Sequence, residues 1–96
     1  MKVILRPHLK IRLKERKIPQ KYPEIIVISP ENKYLDTETN HQIVVKKLVY
    51  NEKLRPMVVS YDIIDSTIQI ITIHPISEQE IQNKLNRKRW IKNEEN

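Results

Sequence analysis

Three side chains near the start of the chain have the types and spacing to grip a phosphate. His8, Arg12 and Arg16 stand four residues apart. On a helix, successive members of such a series rotate by only about 40°, so the three form one stripe. The stripe borders the Leu9 and Leu13 side, which places the cations at the edge of a core, where partial desolvation would strengthen a contact to an anion. The planar guanidinium fork also matches phosphate oxygens better than an ammonium does. The same spacing equally fits a helix edge where Arg stems cover apolar surface and pair with nearby carboxylates.

A second candidate is His74, at the end of Ile71-Thr72-Ile73-His74-Pro75. An imidazole there could act as acid or base near neutral pH, or it could simply close a strand through a hydrogen bond. His41, near an expected turn, has no neighbour to suggest more. The run Lys84-Asn86-Arg87-Lys88-Arg89-Trp90 sets cations beside an aromatic ring. That is the combination that follows an RNA backbone and stacks on a base, although Trp90 could instead anchor a helix end in the core.

Other chemistries find no support. The His spacings contain no H-x-x-x-H or H-x-x-E pattern, and Asp36, Asp62 and Asp65 are scattered over expected turns, so no metal site is expected. Glu15-Arg16-Lys17 has the E-x-K end of a nuclease motif, but on a helix its geometry does not suit that site. The 96 residues include no cysteine, which excludes thiol nucleophiles and zinc ribbons, and no glycine. Phosphate-cradling loops, dinucleotide fingerprints and nucleophile elbows need glycine, so no cofactor is expected. Tight turns then fall to Asn and Asp, which tolerate positive φ best.

The elements that must position these groups fit one domain over residues 1–92, with a frayed tail at 93–96. Eighteen Lys and Arg against twelve Asp and Glu give a net charge of +6 and a pI near 9.7, which favours polyanions or acidic proteins. The apolar stretch at Val3-Ile4-Leu5 is too short for a signal peptide, and no run is long enough to cross a bilayer. No membrane association and a cytoplasmic location are therefore expected.

Val3 to Leu5 suits a short strand, and His8 to Lys17 a helix opened by Pro7. Ile25-Ile26-Val27-Ile28 reads as a strand by propensity, whereas Pro23 and Glu24 suit the first turn of a helix. Lys33 to Asp36 is a possible strand. His41 to Tyr50, Arg55 to Tyr61 and Thr67 to His74 follow as an antiparallel meander, with a turn over Asp62 to Ser66. Ser77-Glu78-Gln79-Glu80 is a capping box opening a helix whose basic end Trp90 and Ile91 close.

His8-x3-Arg12-x3-Arg16, then Ile18, Ser29-Pro30, three strands, Ile71 to Ser77 and a closing Arg89-Trp90 together resemble a family of small RelE-like proteins of unknown function. That family is similar to the BrnT toxins and, more distantly, to RelE and HigB. The resemblance runs from Val3 to Ile91. It implies an α+β fold ordered β-α-α-β-β-β-α, with a twisted antiparallel sheet carrying its helices on one side and with Pro23 to Ile28 helical. It also implies the toxin of a toxin–antitoxin pair, a metal-independent endoribonuclease acting on mRNA, often at the ribosome, and held by a small acidic antitoxin protein. In such a site His8 would be the acid or base, Arg12 and Arg16 the phosphate clamps and Arg89 a further RNA contact. A non-catalytic RNA- or protein-binding module in a small regulatory complex is the competing expectation.

Overall fold

The computed structural model describes residues 1–93. Over these residues the fold is α+β, with three helices and one six-stranded mixed sheet. In order, the elements are β1 (Lys2–Leu5), α1 (Pro7–Arg16), α2 (Tyr22–Ile28), β2 (Asn32–Asp36) and β3 (Gln42–Tyr50). β4 (Lys53–Ile64), β5 (Thr67–Pro75), α3 (Glu78–Asn86) and β6 (Trp90–Lys92) complete the chain. Across the sheet the strands run β1-β5-β4-β3-β2-β6. β2 to β5 form the expected antiparallel meander. The sheet as a whole is not purely antiparallel, because β1 lies parallel to β5, with Lys2 opposite Thr67 and Leu5 opposite Ile70.

Helices cover both faces of the sheet, not one. The reason is written into the central strands, where Ile43-Val44-Val45 and Met57-Val58-Val59 are each buried three in a row. Side chains alternate between faces along a strand, so such a run needs a cover on each side. On one face Val44, Met57, Val59, Ile70 and Ile73 pack under α1 and α2 through Leu9, Leu13 and Ile26. On the other, Ile43, Val45, Val58 and Ile76 pack with Ile81 of α3 and with Tyr34 and Trp90.

Local chemistry explains the boundaries. Pro7 opens α1, where no amide donor is missed. Lys17 ends it in the left-handed region (φ 56°), and the Ile18 amide donates back to the Leu13 carbonyl. The Pro23 segment is helical despite its β-branched residues. Ile26 is fully buried, and burying it against the sheet outweighs the weak strand preference of its neighbours. With no glycine available, Asn51-Glu52 and Asp65-Ser66 make the two tight hairpins, all four at positive φ, as a type I′ turn requires. Ile63 and Ile64 carry β4 right up to the second turn, so Asp62 lies in a strand and not in a loop.

α3 opens on the expected capping box. The Glu80 amide donates to Ser77 Oγ (3.1 Å), and the Ser77 amide to Glu80 Oε1 (3.2 Å). The helix is shorter than its basic run. Lys88 turns left-handed (φ 59°), the Arg89 amide donates to the Lys84 carbonyl, and Trp90 and Ile91 begin β6 instead of closing the helix. Asn93 belongs to the folded part. Its backbone amide donates to Lys33 O and its side-chain amide to Gln42 Oε1. Residues 94–96 of the expected frayed tail lie outside the described residues. Among the described residues, no helix is long and apolar enough to cross a membrane.

Candidate nucleic-acid interface

The α3 face of the sheet carries a polar strip across three strands. Along β4, Val58, Ser60 and Asp62 share this face, and along β5, Thr72 and His74 do, by the two-residue period of a strand. Register puts His74 opposite Val58 and Thr72 opposite Ser60. The pairing of Gln42 with Tyr61 brings His41, just before β3, beside Asp62. The hydroxyls of Ser60 and Thr72 are hydrogen-bonded at 2.6 Å, next to a bulge between Ser60 and Tyr61. Their mutual bond satisfies two polar groups that a sheet face covered by a helix would otherwise strand.

His41, Val58, Ser60, Thr72 and His74 line a groove of about 310 Å³ between the sheet and α3, with Glu80, Lys84, Arg89 and Asp36 on its walls. In both histidines Nδ1 is the donor. Pro75 O can only accept, so His74 Nδ1–H donates to it (2.9 Å) and Nε2 is left free. The Asp62 carboxylate likewise accepts from His41 Nδ1–H at 2.7 Å. The hydroxyl pair lies between the two rings. The groove can hold a phosphate against a cation and present an imidazole nitrogen to it.

A second depression, of about 380 Å³, adjoins the groove and shares Lys84 and Arg89 with it; Arg87, Lys88, Thr37 and Glu38 complete its lining. Arg87 and Lys88 are exposed. Arg89 is not a free cation. Its Nε donates to Asp36 Oδ1 at 3.0 Å and its Nη1 pairs with Glu38. The Glu38 and Thr39 amides donate to the same Asp36 oxygen, at 2.9 and 3.1 Å. Burial alone would raise the Asp36 carboxyl, but the Arg89 guanidinium and the two amides outweigh it and hold the pKa down at about 2. The Thr37 hydroxyl donates to the Lys88 and Arg89 carbonyls, so the loop after α3 is pinned to the β2–β3 turn. Arg89 therefore organises this corner as well as lining the groove.

Trp90 is buried, at 4% exposure, and stacks on Tyr34 with ring centroids 5.4 Å apart. Lys84 Nζ stands 5.4 Å from the Trp90 ring centre. The ring anchors β6 and braces Lys84; it is not presented for stacking on a base.

His8, Arg12 and Arg16 lie elsewhere. They form the expected stripe on α1, but α1 covers the opposite face of the sheet from His74. All three are exposed and not at a desolvated core edge, because α1 buries only the narrow pair Leu9 and Leu13. Among the described residues neither Arg12 nor Arg16 has an ion-pair partner, and Lys10 and Lys14 beside them are equally unpaired. His74 and the 87–90 run thus meet on one side of the molecule, and the α1 stripe forms a separate basic surface on the other.

His41, Asp62, Ser60 and Thr72 did not stand out in the sequence as site residues. The available signal was Ser60-x-Asp62 and Thr72-x-His74, polar positions at a two-residue period inside otherwise apolar strands. Among the described residues no three His, Cys, Asp or Glu side chains are grouped to hold a metal ion. No family model, no curated protein and no solved structure matches this chain.

Proposed function

We propose that the chain is an RNA-directed protein of the RelE-like toxin type, a metal-independent endoribonuclease acting on cytoplasmic mRNA through the groove on its α3 face. One observation carries this reading: His74, with its Nε2 unengaged, lines the same cleft as Lys84 and Arg89. Cleavage by the ribose 2′-hydroxyl needs a proton-transfer group and fixed positive charge at the phosphate, and no metal enters. Arg87 and Lys88 on the rim carry the flanking backbone. The unpaired cations of α1 take a small acidic protein, the antitoxin of the pair. Two helices ahead of an antiparallel meander and a helix after it support the RelE-like assignment; α3 on the opposite face and the added strand β6 depart from it.

A second reading has support of its own. Arg89 is already neutralised by Asp36 and Glu38, and the α1 stripe lies away from His74, which favours a non-catalytic RNA- or protein-binding module. Incubating the purified chain with single-stranded RNA in excess EDTA and sequencing the new 5′ ends separates the two. Position-specific cuts that His74→Ala abolishes while RNA affinity is retained would establish the nuclease. Salt-sensitive binding without cuts would leave the module. Neither cuts nor binding would refute an RNA-directed role.

A further inference from the structure

We infer that His41 is a second catalytic residue of the groove, the general base, with Asp62 as its positioning residue; the inference rests on the nuclease reading above. The geometry is that of an oriented imidazole. Asp62 accepts from Nδ1–H at 2.7 Å, which fixes the ring and leaves Nε2 with its lone pair unengaged. A carboxylate at that nitrogen also stabilises the imidazolium that forms when Nε2 takes a proton. His74 has a neutral carbonyl at the same position and lacks that stabilisation. His41 thus has the carboxylate-oriented geometry of a general base, and His74, beyond the hydroxyl pair, is left as the acid.

Their separation fits a shared phosphodiester. His41 and His74 are two strands apart laterally, and by register four residues apart along β4. At about 3.4 Å per residue and 4.8 Å per strand, their Cα atoms are roughly 17 Å apart. Both rings line the one groove, so a phosphodiester laid along the strip would meet each of them. The floor between them is the Ser60–Thr72 hydroxyl pair.

The step balances without a co-reactant. His41 Nε2 takes the proton of the 2′-hydroxyl, O2′ bonds to phosphorus, the bond from phosphorus to O5′ breaks, and the His74 imidazolium protonates O5′. The products are a 2′,3′-cyclic phosphate and a 5′-hydroxyl. Two proton transfers then return the rings to their starting forms through solvent.

The test compares wild-type protein with His41→Asn, whose amide still donates to Asp62, and with His74→Ala. The substrates are ordinary RNA and RNA carrying a bridging 5′-sulfur at the cut site. A thiolate leaves without an acid, so loss of an acid is rescued by the sulfur and loss of a base is not. Expected are losses of about 100-fold or more on ordinary RNA for both variants, restored by sulfur only in His74→Ala. Asp62→Asn should lower cleavage at unchanged RNA affinity and shift the ¹⁵N signals of the His41 ring. Wild-type-like cleavage by His41→Asn, its rescue by sulfur, or a loss matched by weakened binding would overturn the inference while leaving the nuclease standing. Wild-type protein that cuts no RNA would overturn both.

Discussion

Replacing Asp36 by Asn removes one charge from the corner that fixes the α3–β6 loop. The residue is 5% exposed, and its side chain accepts from Arg89 Nε and from two backbone amides. Its pKa falls from an ordinary 3.8 to about 2, and at about 1.4 kcal/mol per pKa unit the ionised form stabilises the fold by about 2 kcal/mol. An Asn oxygen still accepts from the amides but leaves Arg89 facing a neutral group. The sign follows from the lowered pKa. The contribution is complete above the unfolded value near 4, declines as the pH falls toward 2, and amounts to less than about 0.5 kcal/mol at pH 2. Urea melts of wild-type and Asp36→Asn protein should differ by about 2 kcal/mol at pH 7, roughly 10 °C in Tm for a domain of this size. At pH 2 the two curves should nearly coincide. A gap of the same size at both pH values, or none at pH 7, would refute an electrostatic role for this pair.

Two further outcomes follow from geometry already described. Ser66→Gly should raise stability by roughly 0.5–1 kcal/mol in the same melts, because Ser66 holds φ 62° in a two-residue turn where glycine carries no Cβ penalty; a destabilised variant would show that the turn relies on the serine itself. Arg87→Ala/Lys88→Ala should lower the slope of log affinity for single-stranded RNA against log salt by about 1.4, some 0.7 per lost phosphate contact. Arg12→Ala/Arg16→Ala should leave that slope unchanged, and the reverse pattern would move the RNA to the α1 face.

Local signals were the legible part of this chain. Ser77 and Glu80 declared the start of α3 because a capping box is complete within four residues. The meander was legible because β3, β4 and β5 are successive apolar runs separated by short polar stretches. What could not be read depended on residues far apart in sequence. Ile26 is helical because a sheet lies under it, which no window around Pro23 contains. Trp90 pairs in a strand because Asp36, far back in the chain, lies beside it. The site divided in the same way. The Arg12 and Arg16 stripe was correct as a helix face, but its distance from His74 depends on which face of the sheet each helix covers. His41 looked isolated because Asp62 reaches it only through the β3–β4 register.

Both edges of the sheet are strands whose partners lie far away in sequence. β1 pairs with β5, whose first residue follows some sixty residues later, and β6 pairs back to β2 across more than fifty. During synthesis β1 must therefore wait, unpaired, until β5 has emerged. The β3–β4–β5 hairpins can zip first from local turns, with the two borders added last at the greatest loop-closure cost. A nascent chain halted before β5 exposes Val3-Ile4-Leu5 and the underside of α1 together. β6 in turn decides whether β2, with its Tyr34 ring, is sealed from other chains.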